Sequence, residues 1–136
     1  MTGVEPLAYL AVRIFTCGSW IAAGAHAAID FERTAQVMAD RGIPLPKRVL
    51  PFVLLMEFGG GALVLADQYA WAVSLVWIAF LVTASYFYHL RWRFDTPGRE
   101  FDAFQYMQFW KNVSMIGGLI ALILLDQSRP AWLLRG

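Results

Sequence analysis

The sequence predicts an all-α integral membrane protein, an up-and-down bundle of four transmembrane helices. Three observations carry that expectation. Hydrophobic residues make up 59% of the 136-residue chain and charged residues only 15%, with a mean hydropathy of +0.52, whereas soluble domains carry about 25% charged residues. The apolar residues fall into four blocks, each close to the roughly 20 residues a helix needs to cross a bilayer. The connections are short, which favours antiparallel neighbours. Residues 1–136 therefore read as a single membrane domain with spans at 7–29, 49–66, 69–90 and 104–125 and a tail at 126–136.

Several function classes are excluded at this level. A net charge of +1 leaves no basic excess for nucleic acid. The single cysteine, Cys17, excludes an internal disulfide and any CxxC pair, and in an apolar span it reads as a small hydrophobe. No zinc spacing, glycine-rich nucleotide loop or nucleophile elbow is present, so no metal site is expected.

Span one, 7–29, is interrupted only by Arg13 and His26. Gly18, Ala22 and Ala25 recur at a spacing that lets a neighbouring helix approach closely in lipid. No positive residue precedes this block, so it is expected to stay in the mature protein rather than be cleaved. Residues 30–48 read as a polar loop, because GIPLP is too rich in proline to continue a helix. Pro51 falls in the expected first turn of span two, where its missing N–H does no harm. Asp67 and Gln68 make a tight turn into span three, which ends in the aromatic cluster Tyr86-Phe87-Tyr88-His89 with Trp92 beyond, a composition typical of a membrane–water boundary. Residues 91–102 form a second polar loop turning at Pro97-Gly98. Span four contains Lys111, and the tail contains Trp132 and Arg135.

Orientation follows from loop cations. Arg33, Arg41, Lys47, Arg48, Arg91, Arg93 and Arg99 lie on one side, against Arg129 and Arg135 on the other. The positive-inside rule then places loops 30–48 and 91–103 in the cytoplasm and both termini outside.

The charged residues inside the spans are the candidate site. Glu57 sits within VLPFVLLMEFGGGALVLA, just before Gly59-Gly60-Gly61. An intramembrane carboxylate costs several kcal/mol and persists with a partner or a task. Glu57 lies eight residues past Val49 and Lys111 seven past Phe104. Both are thus about 10–12 Å deep from the same face, which suggests an ion pair. That pair either fixes helix register or serves function. Arg13 enters from the opposite face and either reaches Glu57 or snorkels to headgroups. On span four, Gln105, Gln108 and Asn112 form a polar stripe, with Lys111, Ser114 and Gly118 beside it. Gly59 to Gly61 and Gly117-Gly118 read as close-packing surfaces. His26 and His89 lie near one level, where interfacial placement outweighs axial ligation of haem.

These residues resemble the DoxX family of small bacterial membrane proteins over residues 11–125. Span one matches as Arg13-Ile14-Phe15 followed by Gly18 and Gly24; the next segment matches as RGIPLP, then Leu55-Met56-Glu57 and the glycines. Span four matches as FQYMQFWKNVSMIGGLIALIL, with Gln108, Lys111-Asn112 and Gly117-Gly118 at family positions. His26 departs from the pattern, where relatives often carry lysine. The resemblance implies a four-helix fold in the bacterial inner (cytoplasmic) membrane, association with sulfur metabolism, thiol homeostasis and electron transfer, and, in distant relatives, assembly roles.

Two expectations for function follow. One is a membrane subunit of a respiratory or redox complex linked to quinone, the candidate cofactor. Arg13, Lys111 and Asn112 would supply donors to the head group, Glu57 a proton relay, and Trp20, Phe109 and Trp110 apolar walls. Glu57, Lys111 and Arg13 are then the catalytic candidates, and Gln108, Asn112 and Trp110 the binding candidates. The other is a non-catalytic accessory subunit or assembly factor docking on a larger membrane complex. In both, the partners are membrane lipid and other membrane subunits. A small transporter is weaker, since nothing here shows paired broken helices.

Overall fold

The computed structural model describes residues 4–90 and 103–127. The helices are α1 (Val4–Ile29), α2 (Phe31–Asp40), α3 (Pro46–Leu65), α4 (Ala70–Ala84), which continues as a π-helical segment (Ser85–Leu90), and α5 (Ala103–Gln127). Four stretches are long and apolar enough to cross a membrane: Pro6–Ile29, Pro46–Leu65, Ala70–Leu90 and Ala103–Gln127. The protein is an all-α four-helix membrane protein. The second polar loop, its Pro97-Gly98 turn, Trp92 and the tail cations lie outside the described residues.

The expected polar loop 30–48 is corrected by α2. Its residues are amphipathic, with Phe31, Ala35 and Met38 on one face, and Ala35 and Met38 bury against Leu50 of α3. A short helix in the presence of such a face is held by packing rather than by propensity. It ends in a Schellman turn: Ile43 N–H donates to the Met38 carbonyl (3.0 Å) and Gly42 N–H to the Ala39 carbonyl (2.9 Å). Gly42 takes the positive φ of 79° that this turn requires. Lys47 Nζ to Glu32 Oε2 (2.6 Å) ties α2 to the start of α3. Because α3 begins at Pro46, that proline occupies the first turn, and Pro51 lies inside the helix on its exposed face.

The bundle is two tight pairs. α1 packs chiefly on α3 and α4 on α5, with lighter α1–α5 and α3–α4 seams completing the ring. The core between the pairs centres on Trp20 and Trp77, stacked with ring centroids 4.5 Å apart and planes 9° from parallel. Around them lie Cys17, Val64, Val73, Leu81, Leu119 and Leu122. Trp77 Nε1–H donates to the Met56 carbonyl (3.3 Å), so its polar edge is met.

The glycines divide by location. Gly60 backs onto Val73 and Trp77, Gly61 onto Ile21, and Gly24 onto Glu57 and Phe58. These are the close approaches. Gly18, Gly117 and Gly118 meet nothing within 4 Å of an added Cβ, and with Ala22 they face outward. The close-approach surfaces expected at Gly18, Ala22 and Gly117-Gly118 thus face outward, with no described helix against these glycines. A helix of this length presents small residues on every face, and only neighbours decide which are used.

A Cβ at Gly60 would stand 3.0 Å from Val73 Cγ1 and 3.1 Å from the Trp77 ring. Trp77 is clamped by its stack and cannot give. Gly60→Ala is expected to cost about 1–3 kcal/mol through overpacking. Gly117→Ala is expected to be neutral or slightly stabilising. Thermal unfolding of the two variants in one detergent checks the contrast.

Candidate functional site

The four spans and α2 line a half-open cavity of about 660 Å3 in the half of the bundle that carries α2, within the size range of small-molecule sites. Its walls are apolar and aromatic, built from Trp20, Phe80, Leu81, Phe87, Met115 and Phe104. Its polar groups are Glu57, Gln105, Gln108, Lys111, Asn112, His89 and Arg41. Four of the candidates named from sequence, Glu57, Gln108, Lys111 and Asn112, are thus brought to one space.

Local structure fixes these side chains. Asn112 is buried and its Nδ2–H donates to Ser85 Oγ (3.0 Å), which ties α5 to the first residue of the π-helical segment. That segment widens the last turn of its helix, and Phe87, Tyr88 and His89 all line the cavity. His89 Nδ1 lies 2.6 Å from Gln105 Oε1, the imidazole N–H donating in that tautomer. Arg41, at the end of α2, donates to the Tyr88 carbonyl (3.4 Å) and lies over its ring.

Glu57 is 5% exposed, and its Oε2 has no hydrogen-bond partner among the described residues. Gly24 makes room for it, since a Cβ there would stand 3.0 Å from Oε2. The expected Glu57–Lys111 ion pair is not formed: among the described residues Glu57 is in no salt bridge. Lys111 lines the same cavity from an exposed position on α5. Equal depth put the two charges at one level. It did not fix their rotation about the helix axes, and Lys111 takes an exposed position while Glu57 is buried.

Arg13 belongs to a second cluster at the opposite end of the bundle, beside the α3–α4 turn. Its Nη1 lies 2.8 Å from Asp67 Oδ1, and its guanidinium is 5.0 Å from the Tyr9 ring centre. Neither snorkelling nor pairing with Glu57 describes it; it pairs with the turn aspartate. Tyr9 Oη lies 3.3 Å from Asp67 Oδ1 and 3.0 Å from Asp126 Oδ1, and the Trp71 N–H donates to Asp126 Oδ2 (3.3 Å). The turn itself is strained, with Asp67 at φ 62° and Tyr69 at φ 53°. Tyr9, Asp67 and Asp126 were not singled out from sequence. The available signal was their place at helix ends on one level, one hydroxyl and two acids around a buried cation.

Trp110 is 49% exposed and turns away from the cavity, stacking edge-on with Tyr106 and Phe109. It is therefore not a wall of the site, a role that Trp20 fills. His26 is exposed on α1 and is not among the lining residues, whereas His89 is.

Comparison with known proteins agrees with this architecture. The DoxX family model matches residues 8–90. Inner membrane protein YqjF of Escherichia coli (strain K12) is 26% identical over 122 residues, covering 90% of this chain and 86% of the relative. Inner membrane protein YphA of the same organism is 25% identical over 118 residues, covering 87% and 82%. The family match ends before α5, while both relatives align over most of the chain. No solved structure matches it.

The two charge clusters should respond differently to neutralisation. Removing one member of a buried pair is strongly destabilising, about 3–5 kcal/mol. Glu57→Gln, which breaks no pair, is expected to leave stability unchanged or raise it. Arg13→Met is expected to lower it by about 1–3 kcal/mol, discounted because Asp67 is partly exposed. Thermal unfolding in detergent distinguishes them; equal losses would restore the Glu57–Lys111 pair.

Proposed function

We propose that this chain, which belongs to the DoxX family, is a membrane subunit of a redox complex and holds a quinone in the cavity beneath α2. The observation that carries this reading is the cavity itself: aromatic walls inside a bilayer, with unmet hydrogen-bonding capacity on Glu57 at its inner end. A quinone head group is a flat apolar ring with two opposed carbonyl oxygens. Rings such as Trp20, Phe80 and Phe87 suit its faces. Lys111 and Gln108 can donate to its oxygens, and the Glu57 carboxyl can accept from or donate to a ring oxygen as the ring changes between quinone and hydroquinone. The tail has a route out, because Ser19 and Ala23 on α1 and Lys111 on α5 line the cavity from exposed positions along the lightly packed α1–α5 seam.

A second reading, an accessory subunit without chemistry of its own, is favoured by the outward-facing Gly18, Ala22, Gly117 and Gly118. Small residues on lipid-facing surfaces accept a partner helix closely. In that case the cavity is filled by lipid, and partner loss rather than ligand loss follows from substitutions on that face.

Trp20 lies in the cavity wall, so a bound quinone should quench its fluorescence. Titration of the protein in lipid nanodiscs with a short-tailed quinone is expected to give saturable quenching. Lys111→Met and Glu57→Gln are each expected to weaken binding about tenfold, about 1.4 kcal/mol. Quenching that rises linearly with quinone in all three proteins would reflect partitioning into lipid and would leave the second reading standing.

A further inference from the structure

The hydrogen bonds that shape the cavity wall use up donors and leave acceptors. His89 Nδ1–H donates to Gln105 Oε1 (2.6 Å), so the other ring nitrogen, Nε2, is an acceptor. Asn112 Nδ2–H donates to Ser85 Oγ (3.0 Å), which leaves the Asn112 carbonyl oxygen, Oδ1, as an acceptor. Glu57 Oε2 is sealed against Gly24, where a Cβ would stand 3.0 Å from it, and Oε1 is the oxygen that remains for the cavity. All three residues line this one space, and among the described residues no donor meets Nε2, Oδ1 or Oε1.

Lys111 supplies the opposite character at the other end. The α1–α3 and α4–α5 pairs, closed by the α1–α5 and α3–α4 seams, set α3 and α5 across the diagonal of the ring. Glu57 on α3 and Lys111 on α5 therefore border the cavity from two sides, and among the described residues neither is in a salt bridge. Glu57 is buried at the inner end, whereas Lys111 stands at the exposed rim. An occupant thus meets an acceptor where it lies deepest and a donor where it emerges.

These two ends distinguish the redox forms of a quinone, given the quinone reading of the cavity on which this inference rests. A quinone offers acceptors alone, so its inner carbonyl is met by Glu57 only after the carboxylate has taken a proton. A hydroquinone hydroxyl donates to the carboxylate or accepts from the acid, and is met in either state. Its second oxygen accepts from the Lys111 ammonium. Hydrogen bonds to an ionised partner are the stronger kind, and a buried acceptor left without a donor loses its hydration with no return. We propose that the cavity selects hydroquinone over quinone, with one hydroxyl on Glu57 Oε1 and the other oxygen at Lys111. Tighter binding of the reduced form raises the midpoint potential of the bound couple above that of the free one.

The test is calorimetric titration of the full-length protein in lipid nanodiscs with one short-tailed quinone. It is oxidised in one arm, reduced and kept under argon in the other, and each arm is corrected for partition into empty nanodiscs. Wild type is expected to bind the hydroquinone about tenfold more tightly, equivalent to about 30 mV for a two-electron couple. Glu57→Gln keeps the shape but loses the charged acceptor. It is expected to lower hydroquinone affinity about a hundredfold against about tenfold for quinone, which brings the ratio to within about twofold of one. Lys111→Met is expected to weaken both forms alike and keep the ratio. Equal affinity of wild type for the two forms, or tighter binding of quinone, overturns this inference and leaves the quinone site standing. Saturable binding of neither form overturns both. A tenfold preference that survives in Glu57→Gln also overturns the assignment to Glu57, and should that variant fail to fold, the wild-type ratio decides.

Discussion

The bundle depends on burying one cation. Arg13 lies on the same face of α1 as Tyr9, Cys17 and Trp20, so folding that face inward carries a guanidinium out of water and lipid headgroups alike. The penalty is offset where the α3–α4 turn brings Asp67 to 2.8 Å and the Tyr9 ring lies alongside. Asp67 reaches that point from a left-handed backbone conformation, so the turn stores strain that the ion pair repays. Tyr9 and Asp126 add α5 to the same knot. All four spans are thereby tied at one end of the molecule, α4 also through the Trp71 N–H bond to Asp126.

Closure at that end sets the character of the other. The Trp20–Trp77 stack fills the middle, with Gly60 and Gly61 letting α3 approach Trp77 and Ile21 closely. Beyond it the two helix pairs part, and the Asn112–Ser85 bond holds α5 to α4 while α2 closes the end. The space between becomes the cavity. Glu57 sits at its inner limit because Gly24 leaves volume for a carboxylate, and among the described residues it forms no salt bridge. A buried carboxylate without a protein partner persists in lipid only by interaction with water, a proton or a ligand. The proposed quinone site follows from that requirement.

Much of the molecule was legible in the sequence. The four spans follow from block hydrophobicity, because a bilayer forces every backbone polar group into a helix and leaves few alternatives. Glu57, Gln108, Lys111 and Asn112 were found as candidates by the cost of polar residues in apolar helices, and the structure brings all four to one cavity. The α2 helix was missed because GIPLP hid a ten-residue amphipathic segment whose stability comes from Leu50, far along the chain.

What the sequence determined by itself is therefore the list of expensive residues and the depth at which each lies, since 1.5 Å per residue converts position directly into depth. What only the tertiary structure decided is azimuth: which way each helix is rotated, and so who meets whom. Depth alone paired Glu57 with Lys111 and offered Arg13 as a third member. Rotation turns Lys111 to the cavity rim, gives Arg13 to Asp67, sends Trp110 outward and leaves Glu57 alone at the head of the cavity. Rotation is set by the summed packing of all four helices, and no single stretch of the chain encodes it.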